Sequence, residues 1–130
     1  MMRVRFKTAL LALMSVSVPA SVLAHHGWAW TEDEESRLSG EIVSISFGNP
    51  HMHLELRDQA GTWQVDLAPP SASARAGFVE GVAETGDQAV VTGHRSRDAD
   101  ERAFKAETIT VNGKTYDVYP DRPKTLKPGK

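Results

Sequence analysis

The chain has 130 residues, 40% of them hydrophobic, with 17 acidic and 15 basic side chains, a formal charge of −2 and no cysteine. That length holds one domain around one modest core. The lack of cysteine excludes disulfides, thiolate nucleophiles, thiolate metal sites and a lipid-modified N-terminal cysteine. The acidic balance argues against nucleic-acid binding, which depends on neutralising phosphates.

Residues 1–24 carry Arg3, Arg5 and Lys7 and no acid, then an apolar run from Ala9 to Val18, then Pro19-Ala20-Ser21-Val22-Leu23-Ala24. A basic start, an apolar segment too short to span a bilayer and small residues at the end predict a secretory signal peptide. Val22 and Ala24 suit cleavage between Ala24 and His25, with cleavage after Ala20 as the alternative. The mature chain would then begin at His25, keep 106 of the 130 residues once 1–24 are removed, and carry a charge of −5 after losing three basic residues. No second apolar run reaches membrane-spanning length, so a soluble periplasmic or secreted protein without a membrane span is expected.

After the signal, Trp28 and Trp30 precede the acidic run Glu32-Asp33-Glu34-Glu35, read as a solvated lead-in, with the tryptophans as a hydrophobic plug. Val43, Ile45 and Phe47 alternate with Ser44 and Ser46, which predicts a strand over 38–47 ended by Gly48-Asn49-Pro50. The next strand is expected over 51–57. There Met52, Leu54 and Leu56 take the core face and His51, His53 and Glu55 the opposite one.

Asp58-Gln59-Ala60-Gly61 predicts a hairpin turn into a third strand over 62–67. Ala68-Pro69-Pro70 ends it, and Ser71 can cap a short helix running to about Val82, weakened by Gly77 and Gly81. A fourth strand is expected over 88–94, a charged loop over 95–102 and a fifth strand over 103–111. Asn112-Gly113 then signals a turn into a short strand over 115–119. Three strands, a helix and two strands with a hairpin extension predict an all-β fold. We expect a small five-stranded barrel of the oligonucleotide/oligosaccharide-binding (OB) type with one short helix between strands 3 and 4, a small β-sandwich being the alternative. The single barrel domain spans 25–119, and 120–130 is expected to be a flexible basic tail.

Four of the five histidines sit at His25-His26 and His51/His53, and these form the candidate metal ligands. An N-terminal histidine offers its imidazole and a free amine whose reference pKa is about 7.7 to 8.0. His26 adds a mode through the intervening amide nitrogen. Planar nitrogen sets suit Cu(II), with tetrahedral zinc as the alternative metal. Met52 would favour Cu(I) only if it faced the site, which strand alternation opposes. His94, Glu55 and Asn49 are candidates for partners that hydrogen-bond the ligands, although each has a plainer reading: His94 as a surface or loop residue, Glu55 and Asp66 as solvated face residues. Nothing matches a hydrolase or phosphate-loop motif.

The segments Ala24-His25-His26-Gly27-Trp28, Gly40-Glu41-Ile42, Asn49-Pro50-His51, Trp63, Gly86-Asp87 and Val91-Thr92-Gly93-His94 resemble a widespread family of short exported bacterial proteins classified as a domain of unknown function. The resemblance runs from Ala24 to Tyr116. It implies an exported β-barrel with His25, His26, Asn49, Pro50, His51 and His94 at the family's motif positions, and it implies no activity. Gly27-Trp28 stands where serine and phenylalanine are usual, and the segment before Gly86 is shorter and less basic.

A looser resemblance of site, not of fold, links the mature N-terminal histidine to exported copper proteins: copper-carrier β-sandwiches and oxidative polysaccharide-cleaving enzymes. The expected function is therefore a periplasmic copper carrier or buffer. The alternative is a metal-free module binding a peptide, glycan or another periplasmic protein. A copper-dependent oxidative enzyme is the lesser reading, because so small a barrel offers little substrate face.

Overall fold

The computed structural model describes residues 27–129. The expected signal peptide and both His25 and His26 lie outside the described residues. Six strands and one helix follow in chain order: β1 (Ser36–Ser46), β2 (His53–Asp58), β3 (Gly61–Asp66), α1 (Pro70–Arg75), β4 (Gln88–Arg95), β5 (Ala103–Val111) and β6 (Lys114–Asp117). Among the described residues no helix is long and apolar enough to cross a membrane.

The strands pair in the order β3-β2-β1-β4-β5-β6, and β3 pairs again with β5, which closes the first five strands into a barrel. That closure decides between the expected OB-like barrel and the sandwich in favour of the barrel. Strand β1 turns the corner. Ser36–Glu41 pair with β4, Glu41–Ser46 pair with β2, and a bulge between Ile42 and Ser44 bends the strand from one partner to the other.

Alternation produces the core. Leu38 and Ile42 of β1, Leu54 and Leu56 of β2, Trp63 and Val65 of β3, Val91 of β4, and Phe104 and Ile109 of β5 are buried together with Met52, Leu67 and Phe78. Two turns follow from their residues. Asp58 Oδ1 accepts from the amides of Ala60 and Gly61 at 2.8 and 3.0 Å, and Asn112 and Gly113 take φ of 51° and 75° in the β5–β6 hairpin.

The helix is shorter than the expected span to Val82. Pro70 occupies its first turn, where a missing amide costs nothing. Gly77, at φ 88°, leaves the helical path and ends it. The chain then drops Phe78 into the barrel end, fully buried, 5.3 Å from the Tyr116 ring and 5.8 Å from the Phe47 ring.

Strand β5 departs from simple alternation because both of its faces are covered. Eight of its nine residues are buried, among them Lys105 and Glu107. The N-terminal segment 27–35 and the chain after β6 lie over its outer face. Residues 120–129, expected as a loose tail, are tied down: the Glu35 carboxylate accepts from Thr125 N, Thr125 Oγ1 and Leu126 N at 2.5 to 2.8 Å. Lys124 Nζ reaches Asp117 at 3.1 Å, and Arg37 donates to the Lys127 carbonyl.

Candidate functional site

Strand register brings His53, Asp66, Lys105 and His94 into one lateral row. His53 pairs with Asp66 across β2–β3, Asp66 with Lys105 across β3–β5, and His94 with Lys105 across β4–β5. Cross-strand partners project to the same side of a sheet. Their chain neighbours Leu54, Val65 and Phe104 are buried in the core, so the row lies on the outer face of the barrel.

At one end, His53 is held at both ring nitrogens. Nδ1 lies 2.7 Å from Asp66 Oδ1 and Nε2 lies 2.7 Å from Gln64 Oε1. Gln64 Nε2 donates to Glu55 at 2.9 Å, which turns the amide oxygen toward the histidine. Both imidazole nitrogens therefore donate, a pattern that fits the protonated ring. The bond to Asp66 raises the His53 pKa above its usual 6.5; burial works against this, while Gln64 and the charges of Asp66 and Glu55 add to it. On losing its proton, His53 can keep Nδ1–H on Asp66 and present Nε2 as a lone-pair donor, the arrangement by which carboxylates orient metal-binding imidazoles. His53, Gln64 and Asp66 line a shallow cavity of about 350 Å³ with Glu101, Arg102 and Ala103.

At the other end the row is roofed. Lys105 Nζ donates to the Gly27 carbonyl at 2.6 Å and lies 4.5 Å from the centroid of the Trp28 indole, while the Arg122 guanidinium carbon lies 3.7 Å from that ring. Tyr119 and His94 meet the indole edge-on at 5.0 and 5.7 Å. Burial pushes the Lys105 pKa down, with Arg122 adding to the shift and Asp66 opposing it. Burial likewise pushes Tyr119 up, with Asp66 adding and Arg122 opposing. Beneath the indole, Glu107 Oε1 accepts from His94 Nε2 at 3.0 Å and from Arg122 Nε at 2.8 Å, and its Oε2 is buried with no partner.

The expected site residues thus separate. His53 is half-buried on the predicted face, and His51 is half-buried where the alternation continues past buried Met52. Glu55 joins the His53 network through Gln64, and Asp66 touches His53 directly, so neither is only a solvated face residue. Asn49 is exposed in the bend before Pro50. His94 is not a surface residue: it is buried, with Nδ1 donating to the carbonyls of Glu32 and Glu34 at 3.0 and 3.1 Å and Nε2 engaged by Glu107. Both nitrogens serve the fold. Among the described residues no three His, Asp or Glu side chains gather where they could hold a metal ion.

Sequence reading missed Lys105, Glu107 and Arg122. The signal for the first two was present, since a strand over 103–111 carries two charges at the same parity, facing away from Phe104 and Ala106. Nothing local marks Arg122, whose role depends on where the chain returns after β6.

No curated protein matches the chain. Solved structures match the chain at low identity. The S. pombe Stn1–Ten1 complex matches with a TM-score of 0.46 and 17% identity over 59% of this chain and 57% of that chain. A deletion mutant of TiaS in complex with agmatine matches at 0.48 and 16%, over 65% of this chain and 26% of that one. Asparaginyl-tRNA synthetase from Pyrococcus horikoshii matches at 0.48 and 15%, over 71% and 24%. The chain therefore spans less than two thirds of the length of each. The profile of a family of unknown function, DUF6152, matches residues 12–105, most of the chain, and the protein belongs to that family.

Proposed function

We propose that this protein is exported and binds copper in the periplasm as a carrier or buffer. His25 and His26 are its first ligands, with His53 and His51 from the barrel face completing the set. One observation carries the reading: the Gly27 carbonyl is fixed by Lys105, the residue in register with Asp66, itself bonded to His53. The residues immediately before Gly27 are His26 and His25, and two residues reach at most about 7 Å.

Neighbouring strands are about 4.8 Å apart, so the Lys105 backbone lies about two strand spacings from that of His53. The ligands offered are amine and imidazole nitrogens, with Asp66 to orient His53. Met52, the one methionine outside the predicted signal, is 2% exposed in the core and offers no thioether. Such a nitrogen set favours Cu(II), with zinc as the competing metal.

The test uses protein secreted and cleaved naturally, with mass spectrometry establishing the first residue. Copper titration followed by electron paramagnetic resonance is expected to give a single nitrogen-rich Cu(II) signal at one equivalent. His25→Ala or one extra residue before His25 should abolish that signal, and equal affinity in the extended chain would overturn the amine-based site.

The cavity beside His53 favours a second reading, a metal-free barrel that takes a peptide, glycan or partner protein there. Chemical-shift changes at Gln64, Asp66 and Ala103 on adding such a ligand to chelator-treated protein would distinguish it.

A further inference from the structure

Between α1 and the chain after β6 lies another cavity, of about 410 Å³, which shares no residue with the one beside His53. Small side chains make it. Ala72 in α1 and Ala76 at its C-terminal cap stand one helical turn apart, and neither is long enough to fill the gap to Val118 and Tyr119 opposite. Pockets that hold small molecules run from about 300 to 1,000 Å³, so this one suits a compact ligand.

The wall formed by residues 117–122 is firmly held. Val118 is 1% exposed, and its N donates to the Glu107 carbonyl at 2.9 Å. Tyr119 N donates to Asp117 Oδ1 at 3.1 Å, and Arg122 N donates to the Tyr119 carbonyl at 3.1 Å. Lys124 Nζ donates to the carbonyls of Tyr119 and Arg122 at 2.6 and 2.9 Å and pairs with Asp117, so that carboxylate is satisfied within the wall. A wall fixed in this way has little freedom left to lose on binding, which favours affinity.

What the cavity leaves unsatisfied is mostly cationic. Arg75, exposed in the last turn of α1, makes no hydrogen bond or ion pair among the described residues. Arg122 is held at Nε by Glu107 and over one face by the Trp28 indole, while its two terminal nitrogens donate to no described residue. A guanidinium fixed in place offers donors whose geometry matches a carboxylate. Glu107 behind Arg122 and exposed Asp121 on the rim keep the net positive charge small. Charge alone therefore holds an anion weakly, and the apolar wall must supply the rest.

We propose that this cavity binds a small monocarboxylate with an apolar body, the carboxylate held by Arg75 and Arg122 and the body packed against Ala72, Ala76 and Val118. The site stands apart from the copper reading and does not depend on it.

Chelator-treated protein titrated with phenylacetate and with the smaller isovalerate, followed by nitrogen–proton correlation spectra, tests this. Shifts are expected at the Ala76, Val118 and Tyr119 amides and at the Nε–H groups of Arg75 and Arg122, saturating at millimolar ligand. Phenylacetamide keeps the body without the charge, and inorganic phosphate keeps a charge without the body. Each should bind at least about tenfold more weakly than phenylacetate. Arg75→Gln should weaken phenylacetate binding about tenfold by removing a charge-assisted bond, and Asp121→Asn should strengthen it. Ala76→Leu should abolish it by filling the cavity, with thermal denaturation showing that each variant is folded.

No shift at these amides with either carboxylate would overturn the site. Equal binding of phenylacetamide would overturn the role of the carboxylate, and equal binding of phosphate that of the apolar body. Unchanged phenylacetate affinity in both Arg75→Gln and Ala76→Leu would put the bound probe elsewhere and overturn the assignment.

Discussion

His94 Nε2 and Glu107 Oε1 stand 3.0 Å apart with both side chains buried, joining β4 to β5 beneath the N-terminal segment. Removing His94 takes away one of the two donors to Glu107 Oε1, Arg122 Nε at 2.8 Å remaining, and leaves the Glu32 and Glu34 carbonyls without the imidazole. His94→Ala is therefore expected to destabilise the protein by about 1–3 kcal/mol, the cost of buried polar groups that lose a partner, a fall in Tm of roughly 4 °C or more for a domain this size. Glu107→Gln keeps an acceptor for His94 and should cost less than His94→Ala. Thermal denaturation of the two variants checks the order, and equal small losses would show that Arg122 alone suffices for Glu107.

The neighbouring Gly93 makes that bridge possible. A Cβ built there would lie 2.0 Å from the Lys105 carbonyl oxygen and 2.8 Å from the Ala106 Cα, both backbone atoms that cannot turn aside. Gly93→Ala must part β4 from β5 just where His94 and Lys105 take their places. The expected cost is at the upper end of the roughly 1–3 kcal/mol of overpacking, or beyond it. A neutral Gly93→Ala in urea denaturation would contradict this packing.

The Glu35 carboxylate is the latch of the chain after β6. Burial, its largest single influence, would raise the pKa from 4.5; the side chain and amide of Thr125, the Leu126 amide and the His94 charge outweigh it and hold the carboxyl below that value. A lowered folded pKa gives stability that is present above the unfolded value and lost as pH falls through the folded one. The segment around Thr125 should therefore loosen only below about pH 4.5. Glu35→Gln removes charge-assisted bonds of about 1.5–3 kcal/mol, so exchange at the Thr125 and Leu126 amides should rise at least tenfold at neutral pH. Unchanged exchange would mean that Lys124 and Arg37 hold the segment without Glu35.

The barrel was legible because alternation is local: Met52, Leu54 and Leu56 against His53 and Glu55 assign the faces of β2 without any tertiary knowledge. The end of α1 was harder to read, since apolar spacing continued to Val82 while Gly77 took a left-handed turn. What stayed hidden were contacts between segments far apart in sequence. Glu35 reads as one more acid in a solvated run until Thr125 and Leu126 lie over it. His94 reads as a strand-end residue until residues 32–34 and Glu107 enclose it. His25 and His26 remain matters of sequence alone, and the described fold meets them only through the anchored Gly27.

The last prediction concerns His53. Its folded pKa lies above the usual 6.5 because Asp66 accepts from Nδ1, with burial opposing and Gln64 and nearby charges assisting. A raised pKa gives stability fully present below the unfolded value and lost as pH rises through the folded one. The stability difference between wild type and His53→Gln should therefore be greatest below about pH 6.5 and fade as the pH rises through the raised folded value. The effect will be small, because the His53 side chain is 38% exposed and solvent screens the pair. Chelator-treated protein is needed, since a metal on Nε2 would displace the proton and reverse the trend. In the metal-free protein, the His53 ring resonances should titrate with a midpoint above 6.5 and shift downward in Asp66→Asn. A midpoint that does not move would mean that the carboxylate is not what holds the proton, and that His53 reaches β3 through Gln64 alone.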